Sequence, residues 1–220
     1  TEKEIIMPKI FDNIENRLLD GLKYTLDVSH KSDFCVGYFN LRGWKEVCSC
    51  IDKFQGGEGQ CCRLLIGMQK PPEEILKEVL SNILTEQIDN QKALSFKKKL
   101  AQEFREQLTF GLPTNIDEHG LRQLSKHIKE KKVIVKLFLK YPLHAKLYLL
   151  FREDPINPII GYLGSSNLTF AGLSNQGELN IDVLDKDAAD KLVQCFKDRW
   201  DDRWCIDISD ELAEIIDNSW

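Results

Sequence analysis

Apolar and polar positions alternate in blocks along the chain, and most blocks have the length of one strand or one helix. Short runs rich in apolar, β-branched and aromatic residues predict strands at residues 33–39, 61–68, 133–139, 145–151, 159–163 and 179–184. Apolar residues at helical spacing predict helices at residues 10–26, 41–54, 72–109, with a break near Asp89, and 120–132. Strands that alternate with helices favour an α/β sandwich with a mostly parallel or mixed sheet.

Polar side chains stand at the ends of the last three predicted strands. His144 and Lys146 are two residues apart where one of these strands begins, so their side chains project to the same side. The next strand leads into a Gly-Ser-Ser-Asn loop that contains Ser165 and Asn167, and Glu178 directly precedes the third. We therefore expect the three strands to bring these five side chains together.

These five residue types meet the chemical needs of a metal-free phosphodiester hydrolase. Such an enzyme needs a nucleophile, groups that hold the nonbridging oxygens, and an acid that protonates the leaving alkoxide. A His-x-Lys pair alone is common by chance, and Gly-Ser-Ser-Asn alone is usually a turn. The ordered combination, separated by strand-length spacers, is far more specific than either fragment.

The motifs His144-Ala-Lys146 and Gly164-Ser-Ser-Asn167 resemble the active-site signature of the phospholipase D superfamily. The usual form is His-x-Lys-x4-Asp followed by Gly-Ser-x-Asn, and Phe151 stands where that pattern has Asp. Glu178 resembles instead the His/Lys/Asn/Glu arrangement of the superfamily's nuclease branch, which includes metal-independent restriction endonucleases. The resemblance implies a phospholipase D-like α/β/α sandwich with a mixed, largely parallel central sheet, and it favours nucleic acid over lipid as the substrate.

The same resemblance implies a mechanism that needs no metal and no other cofactor. His144 of one subunit attacks phosphorus to form a phosphohistidine, and His144 of a second subunit protonates the leaving oxygen. Lys146, Ser165 and Asn167 hold the nonbridging oxygens, while Glu178 orients the imidazole. Because the chain carries one copy of the signature and no internal repeat, the resemblance also implies a homodimer with a shared site.

Further candidates for binding the substrate are polar residues outside the signature. They are Ser166, Arg42, Lys136 and Lys140. For Arg42 a surface or ion-pairing role is the alternative, and for the nearby Trp44 the pattern favours a core position.

A basic stretch leads into His144 and suggests a path for a phosphate backbone. Between residues 121 and 146 the only acid is Glu130, and the bases are Arg122, Lys126, Lys129, Lys131, Lys132, Lys136, Lys140 and Lys146. Such a stretch attracts a polyanion. A solvated helix face explains Lys126, Lys129 and Lys132 equally well.

Segments of the amino-terminal half carry a second resemblance. Residues 11–19, 33–39, 41–44 and 63–68 are similar to the phospholipase D-like module that precedes Swi/Snf-type helicase domains in bacterial proteins. This resemblance implies a larger parent protein with a fused helicase domain, and the chain's start at Thr1 also suggests one.

Composition is consistent with one domain that spans residues 1–220. No Pro/Gly/Ser-rich linker divides the chain, and the formal net charge is −5.

The seven cysteines, which include Cys48, Cys50, Cys61 and Cys62, lack the paired spacing of a zinc site. We therefore expect buried, reduced thiols and no metal. Since neither a signal peptide nor a membrane-spanning apolar run is present, we expect a cytoplasmic protein without membrane contact.

Three functions remain open from the sequence, and an endonuclease that prefers DNA ranks first. A non-hydrolytic DNA-binding or dimerisation module of a helicase or restriction-type protein ranks second, since Phe151 replaces the usual Asp. A lipid or small phosphodiester hydrolase ranks third, because the chain lacks a basic amphipathic helix with aromatic residues on its other face.

Overall fold

Eight strands form one sheet in the computed structural model, which describes residues 8–68, 77, 90–109 and 114–219. The strands are β1 (Ile10–Phe11), β2 (Ser29–Val36), β3 (Cys62–Gly67), β4 (Val133–Phe138), β5 (Lys146–Arg152), β6 (Ile159–Gly164), β7 (Asn180–Val183) and β8 (Cys205–Asp207). Their order across the sheet is β1-β7-β6-β5-β2-β3-β4-β8.

Helices cover both faces of this sheet. The described helices are α1 (Leu18–Leu26), α2 (Leu41–Ile51), α3 (Asn90–Thr109), α4 (Thr114–Lys129), α5 (Lys186–Trp200) and α6 (Ser209–Asp217), with a one-turn π-helix at Ala171–Asn175. Alternate residues of β2 enter two separate cores, since Phe34 and Val36 pack in one and Cys35 in the other. The first core lies beneath α1, α2, α3, α4 and α6, and the second beneath α5. The α/β/α sandwich is therefore confirmed.

The sheet is mixed, as expected, but the expectation that it is largely parallel is wrong. Among the described strands only β2–β3 and β3–β4 pair in parallel, and the other five pairings are antiparallel. The parallel pairs are joined by chain long enough to include helices. A short connection of six residues instead joins β5 to β6, and short connections between neighbouring strands favour antiparallel pairing.

Most predicted elements agree with the structure to within a few residues, but the helix predicted at residues 10–26 begins only at Leu18. Ile10 belongs to β1, and Ile14 is 80% exposed. The physical reason is a turn at Asp12, whose side chain accepts hydrogen bonds from the backbone N–H groups of residues 14, 15 and 16. Asn13 follows with a φ of 61°, outside the helical region.

The long helical pattern at residues 72–109 is confirmed from Asn90 onward, while residues 72–76 and 78–89, with the expected break near Asp89, lie outside the described residues. The acidic carboxyl-terminal tract contains α6. Leu212, Ala213 and Ile216 of this helix are buried in the larger core.

One ion pair inside the sheet is almost completely removed from water. Arg63 on β3 donates from Nε and Nη2 to the two carboxylate oxygens of Asp33 on β2, at 2.6 Å each. The Asp33 side chain is fully buried and that of Arg63 is 20% exposed. Such a bidentate bond fixes the guanidinium in one orientation.

We predict that Asp33→Ala lowers the free energy of unfolding by about 2–4 kcal/mol, because it leaves the Arg63 charge without its partner. Urea denaturation measures this change. The matched control is Asp20→Ala, which breaks an exposed Arg17–Asp20 pair and is expected to change stability by less than about 1 kcal/mol. If both variants lost the same free energy of unfolding, burial would not be the reason that the Asp33–Arg63 pair stabilises the protein.

Candidate functional site

The candidate site lies at the edge of the sheet where β2, β3 and β4 end and β5 begins. A cavity of about 520 Å³ opens there, and its lining includes Gly37, Tyr38, Leu143, His144, Lys146 and Asn167. In open α/β sheets, ligands bind outside the carboxyl ends of the parallel strands. The position of the cavity therefore fits a ligand site.

His144 and Lys146 enter the cavity from the start of β5. His144 is exposed just before the strand, and Lys146 is the first strand residue, paired with Val36 of β2. Lys146 Nζ donates a hydrogen bond to the His144 carbonyl oxygen at 2.6 Å. A side chain at Gly37 would place its Cβ 2.4 Å from the Leu143 carbonyl oxygen, so only glycine lets this segment cross the end of β2.

Asn167 is tied to the end of β2 by its side chain. Its Oδ1 accepts a hydrogen bond from the Tyr38 backbone N–H at 3.0 Å, and Leu168 forms a bridge with Phe39 next to it. Because Oδ1 is engaged, Nδ2 is the group that Asn167 offers to a ligand in the cavity. An amide donor there suits an anionic oxygen.

Ser165 and Glu178 form a pair beside Asn167. Ser165 Oγ donates to Glu178 Oε2 and accepts from the Leu179 N–H at 2.9 Å. Glu178 lines a second cavity of about 350 Å³, which shares Tyr38 and Asn167 with the first. The structure thus brings all five signature side chains to one continuous surface.

Ser166 was expected to bind substrate, but its side chain is completely buried. Its Oγ accepts from Asn180 Nδ2 at 2.8 Å, its N–H donates to Asn180 Oδ1 at 3.2 Å, and its carbonyl oxygen accepts from the Tyr148 hydroxyl at 2.8 Å. Desolvation by burial, with a smaller effect of the Glu178 charge, raises the pKa of Tyr148 well above its usual value, so the phenol remains a donor. Ser166 therefore supports the loop and does not contact solvent.

Three other expected substrate contacts lie outside both cavity linings. Arg42 is exposed in the first turn of α2. Lys136 Nζ donates to the Trp200 carbonyl oxygen at 3.1 Å and lies 4.5 Å from the centre of the Trp200 ring. Lys140 Nζ donates to Asp202 at 2.7 Å. In the structure, Lys136 and Lys140 are thus bonded to Trp200 and Asp202 and line neither cavity of the candidate site.

For the helical part of the basic stretch, the structure favours the alternative of a solvated helix face over a path toward His144. Residues 126–132 precede the amino end of β4, whereas His144 lies near its carboxyl end, about 20 Å away by the rise of a six-residue strand. The lysines there are also ion-paired, in the pairs Lys126–Glu130, Lys129–Asp217, Lys131–Asp210 and Lys132–Glu130. A solvated, ion-paired surface describes them better.

Phe151, at the position where the usual signature has Asp, lies at the far end of β5. It is five residues beyond Lys146, or about 16 Å along the strand. Its ring contacts the ammonium of Lys31, whose Nζ lies 4.2 Å from the ring centre. The departure from the signature therefore removes no group from the cavity.

Trp44 is a core residue, as the pattern favoured. It is fully buried, and its ring centre lies 6.1 Å from that of Phe39 and 5.8 Å from that of His127.

Six of the seven cysteines are buried, all seven are free thiols, and only Cys195 is exposed. Burial raises the pKa of Cys35 to about 12, which disfavours the reactive thiolate.

Neither a metal cluster nor a membrane span is found in the described part of the chain. No group of three or more His, Cys, Asp or Glu residues comes together there in a way that fits a metal ion. No helix among the described residues combines the length and the apolar character needed to cross a bilayer.

Two supporting residues were missed by the sequence analysis. Asn180 lies inside an apolar run and is buried. Because a buried amide needs hydrogen-bond partners, an asparagine at such a position in the sequence indicates a residue that supports its neighbours. Asn13 donates to the carbonyl oxygens of Gly172 at 2.7 Å and Gln176 at 3.0 Å. The contacts of Asn13 join residues more than 150 positions apart, so no local pattern indicates them.

Residues 29–200 match the family model for the cardiolipin synthase, PLD-like domain. The chain belongs to this PLD-like family. Because the matched segment runs from β2 to α5, it contains all five signature residues of the PLD-like domain. No curated protein sequence matches the chain.

Solved structures share the fold of this PLD-like domain at low sequence identity. The phospholipase D family member Nuc from Salmonella typhimurium is 10% identical, with a TM-score of 0.51, and the match covers 91% of this chain and 97% of Nuc. NucT from Helicobacter pylori is 12% identical, with a TM-score of 0.47 and coverage of 91% and 98%. Phosphatidylserine synthase from Haemophilus influenzae is 14% identical, with a TM-score of 0.49 and coverage of 96% and 44%. The likeness to Nuc shows a common fold.

We predict that Gly164→Ala destabilises the protein by about 1–3 kcal/mol, since the new Cβ would lie 2.2 Å from the Leu179 carbonyl oxygen. Gly177→Ala in the same connection is the control, because its Cβ would meet nothing within 4 Å. The control is expected to change stability by less than about 1 kcal/mol. Thermal and urea denaturation compare the two, and an unchanged midpoint in Gly164→Ala would contradict the close packing of this loop.

Proposed function

We propose that this PLD-like domain is an endonuclease that hydrolyses phosphodiester bonds of nucleic acid, preferentially DNA, without a metal ion. The observation that carries the proposal is the arrangement of His144, Lys146 and Asn167 around one cavity, with the Ser165–Glu178 pair beside it. This set offers a nucleophile, an ammonium, an amide donor and a carboxylate on one surface. The likeness of fold to Nuc supports the same class of reaction.

The proposed reaction proceeds in two displacements. A nitrogen of His144 attacks phosphorus, and the bond to the leaving alkoxide breaks as His144 of a second copy gives that oxygen a proton. Water then attacks the phosphohistidine, passes a proton to the second imidazole and releases the first. Lys146 and the Nδ2 of Asn167 stabilise the charge on the nonbridging oxygens.

Glu178 and Lys146 retain capacity for these roles. Ser165 is bonded to one oxygen of Glu178, and a carboxylate has about four acceptor positions, so an imidazole N–H can be accommodated as well. An ammonium has three donors, and one of them holds the His144 carbonyl oxygen. In this proposal Glu178 fixes the tautomer and orientation of His144.

A homodimer completes the proposed site, because the chain carries one signature histidine at a site that uses two. Exposed apolar side chains near the cavity support a covered surface. Leu179 follows Glu178 and is 66% exposed, and Tyr141, three residues before His144, is 45% exposed. The sequence resemblance supports a further proposal, that this single domain is part of a cytoplasmic protein with a helicase domain.

The rival hypothesis of a non-hydrolytic DNA-binding module rests on Phe151. Since Phe151 lies about 16 Å from Lys146 along β5, its identity does not decide whether the cavity is catalytic. Among the described residues, we find no feature of the site that specifically favours a lipid substrate.

We predict that His144→Ala lowers the cleavage rate at least about a thousandfold while cleavage by the unmodified protein persists in EDTA. Plasmid, single-stranded DNA and RNA substrates, assayed in parallel, reveal the preferred nucleic acid. His119→Ala, which removes an exposed histidine of α4, is the control and is expected to retain full activity. Strict dependence on Mg²⁺, or undiminished cleavage by His144→Ala, would sink the proposed chemistry.

A mixing experiment tests the shared site. When subunits exchange with excess His144→Ala protein, activity per unmodified subunit is expected to fall toward zero, because each site needs two His144 side chains. Light scattering measures the oligomeric state of the same samples. A monomer with full activity, or activity that scales with the unmodified fraction alone, is incompatible with the shared site.

A further inference from the structure

Another cavity, separate from the two at the candidate site, lies at the opposite edge of the sheet, on the side covered by α5. Its volume is about 620 Å³, within the range of small-molecule sites. It is about 20 Å from the signature residues by the length of β4. None of the five signature residues lines it.

Four cations from four different segments converge on this cavity. Lys31 comes from β2, Arg63 from β3, Lys131 from the turn after α4 and Lys197 from α5. Bringing like charges together raises the local positive potential, which favours an anion. Within the described residues, Lys197 has no ion pair, Lys131 has a solvent-exposed one with Asp210, and Lys31 shares Asp33 with Arg63 at 3.5 Å.

Arg63 gives the cavity a fixed cation. Its Nε and Nη2 are held by the buried Asp33, and its guanidinium carbon lies 4.8 Å from the Phe196 ring centre and 5.1 Å from that of Trp200. The two bonds to Asp33 do not use Nη1. A guanidinium held in place loses little entropy when it binds an anion, and it suits the geometry of phosphate.

Two carboxylates, Glu58 and Asp201, also line the cavity. They are unfavourable next to a dense polyanion, since like charges repel. They are instead good acceptors for hydroxyl groups. Cations combined with such acceptors match a ligand that has one phosphate and several hydroxyls.

We propose that this cavity binds a small phosphate monoester of a hydroxylated sugar. Lys31, Arg63, Lys131 and Lys197 surround the phosphate, while Glu58 and Asp201 accept hydrogen bonds from the sugar hydroxyls. Sugar phosphates and mononucleotides share this chemistry. The site is independent of the proposed phosphodiester hydrolysis.

To test the proposal, the full chain is titrated with ribose 5-phosphate, adenosine monophosphate and inorganic phosphate. Calorimetry measures the affinities, and NMR records the shifts of the amide and indole signals. The Gly57 and Gly59 amides and the Trp200 indole are expected to shift with the two sugar phosphates. If adenosine monophosphate binds more tightly than ribose 5-phosphate, the cavity is a nucleotide site. If the two ligands bind equally, the cavity is a sugar phosphate site. Either result supports the proposal.

The double substitution Lys131→Asn with Lys197→Gln is expected to weaken ribose 5-phosphate binding by about tenfold or more. Asparagine suits position 131, where φ is 57°, so the backbone conformation is retained. Lys191→Gln removes one positive charge from α5 outside the cavity lining and is expected to leave affinity unchanged. Unfolding midpoints verify that both variants fold.

Three outcomes would overturn the proposal. The first is unchanged affinity in the double variant, or an equal loss in Lys191→Gln. The second is NMR shifts that are confined to the surroundings of His144 and Lys146. The third is inorganic phosphate that binds as tightly as ribose 5-phosphate, since the sugar hydroxyls would then contribute nothing.

Discussion

The pairing of β2 with a strand on each side is the constraint on which the rest of the structure depends. On one side β2 is parallel to β3, and on the other it is antiparallel to β5. Because an antiparallel neighbour begins where β2 ends, the amino end of β5 meets the carboxyl ends of the parallel strands. This places His144 and Lys146 at the edge of the sheet where α/β proteins bind ligands. The close approach at Gly37 permits the crossing, since any Cβ there would collide with the Leu143 carbonyl oxygen.

Ser165, Asn167 and Glu178, the other half of the candidate site, depend on contacts that hold the β6–β7 connection in place. Asn167 is bonded to the backbone of Tyr38, and the buried Ser166 is held by Asn180 and Tyr148. The amino-terminal turn contributes as well, because the Glu178 N–H donates to the Asp12 carbonyl oxygen at 3.2 Å. Polar groups that are buried and satisfied in this way rigidify the loop. The exposed Ser165 is therefore followed by a residue, Ser166, that is buried together with its partners Asn180 and Tyr148.

The two ends of the sheet carry different chemistry built on the same strands. One end has the signature residues, and the other has the cations around Arg63. Asp33 and Val36 lie three residues apart on β2, so the buried ion pair and the pairing partner of Lys146 belong to one strand. The arrangement of the strands belongs to the fold that this chain shares with Nuc.

Local sequence was enough to locate most of the central elements and to identify the signature. Apolar periodicity located β3, β4, β5, β6, β7 and α2 to within a few residues, since burial on a sheet or a helix requires that spacing. The ordered His144, Lys146, Asn167 and Glu178 indicated the family before any contact was known. Three features became known from the three-dimensional arrangement alone: the sheet is largely antiparallel, Ser166 is buried, and the helical part of the basic stretch lies at the far edge. Strand order, burial and the ends of the sheet arise from contacts between residues far apart in the chain, such as Asn13 with Gly172, and local spacing carries no information about those contacts.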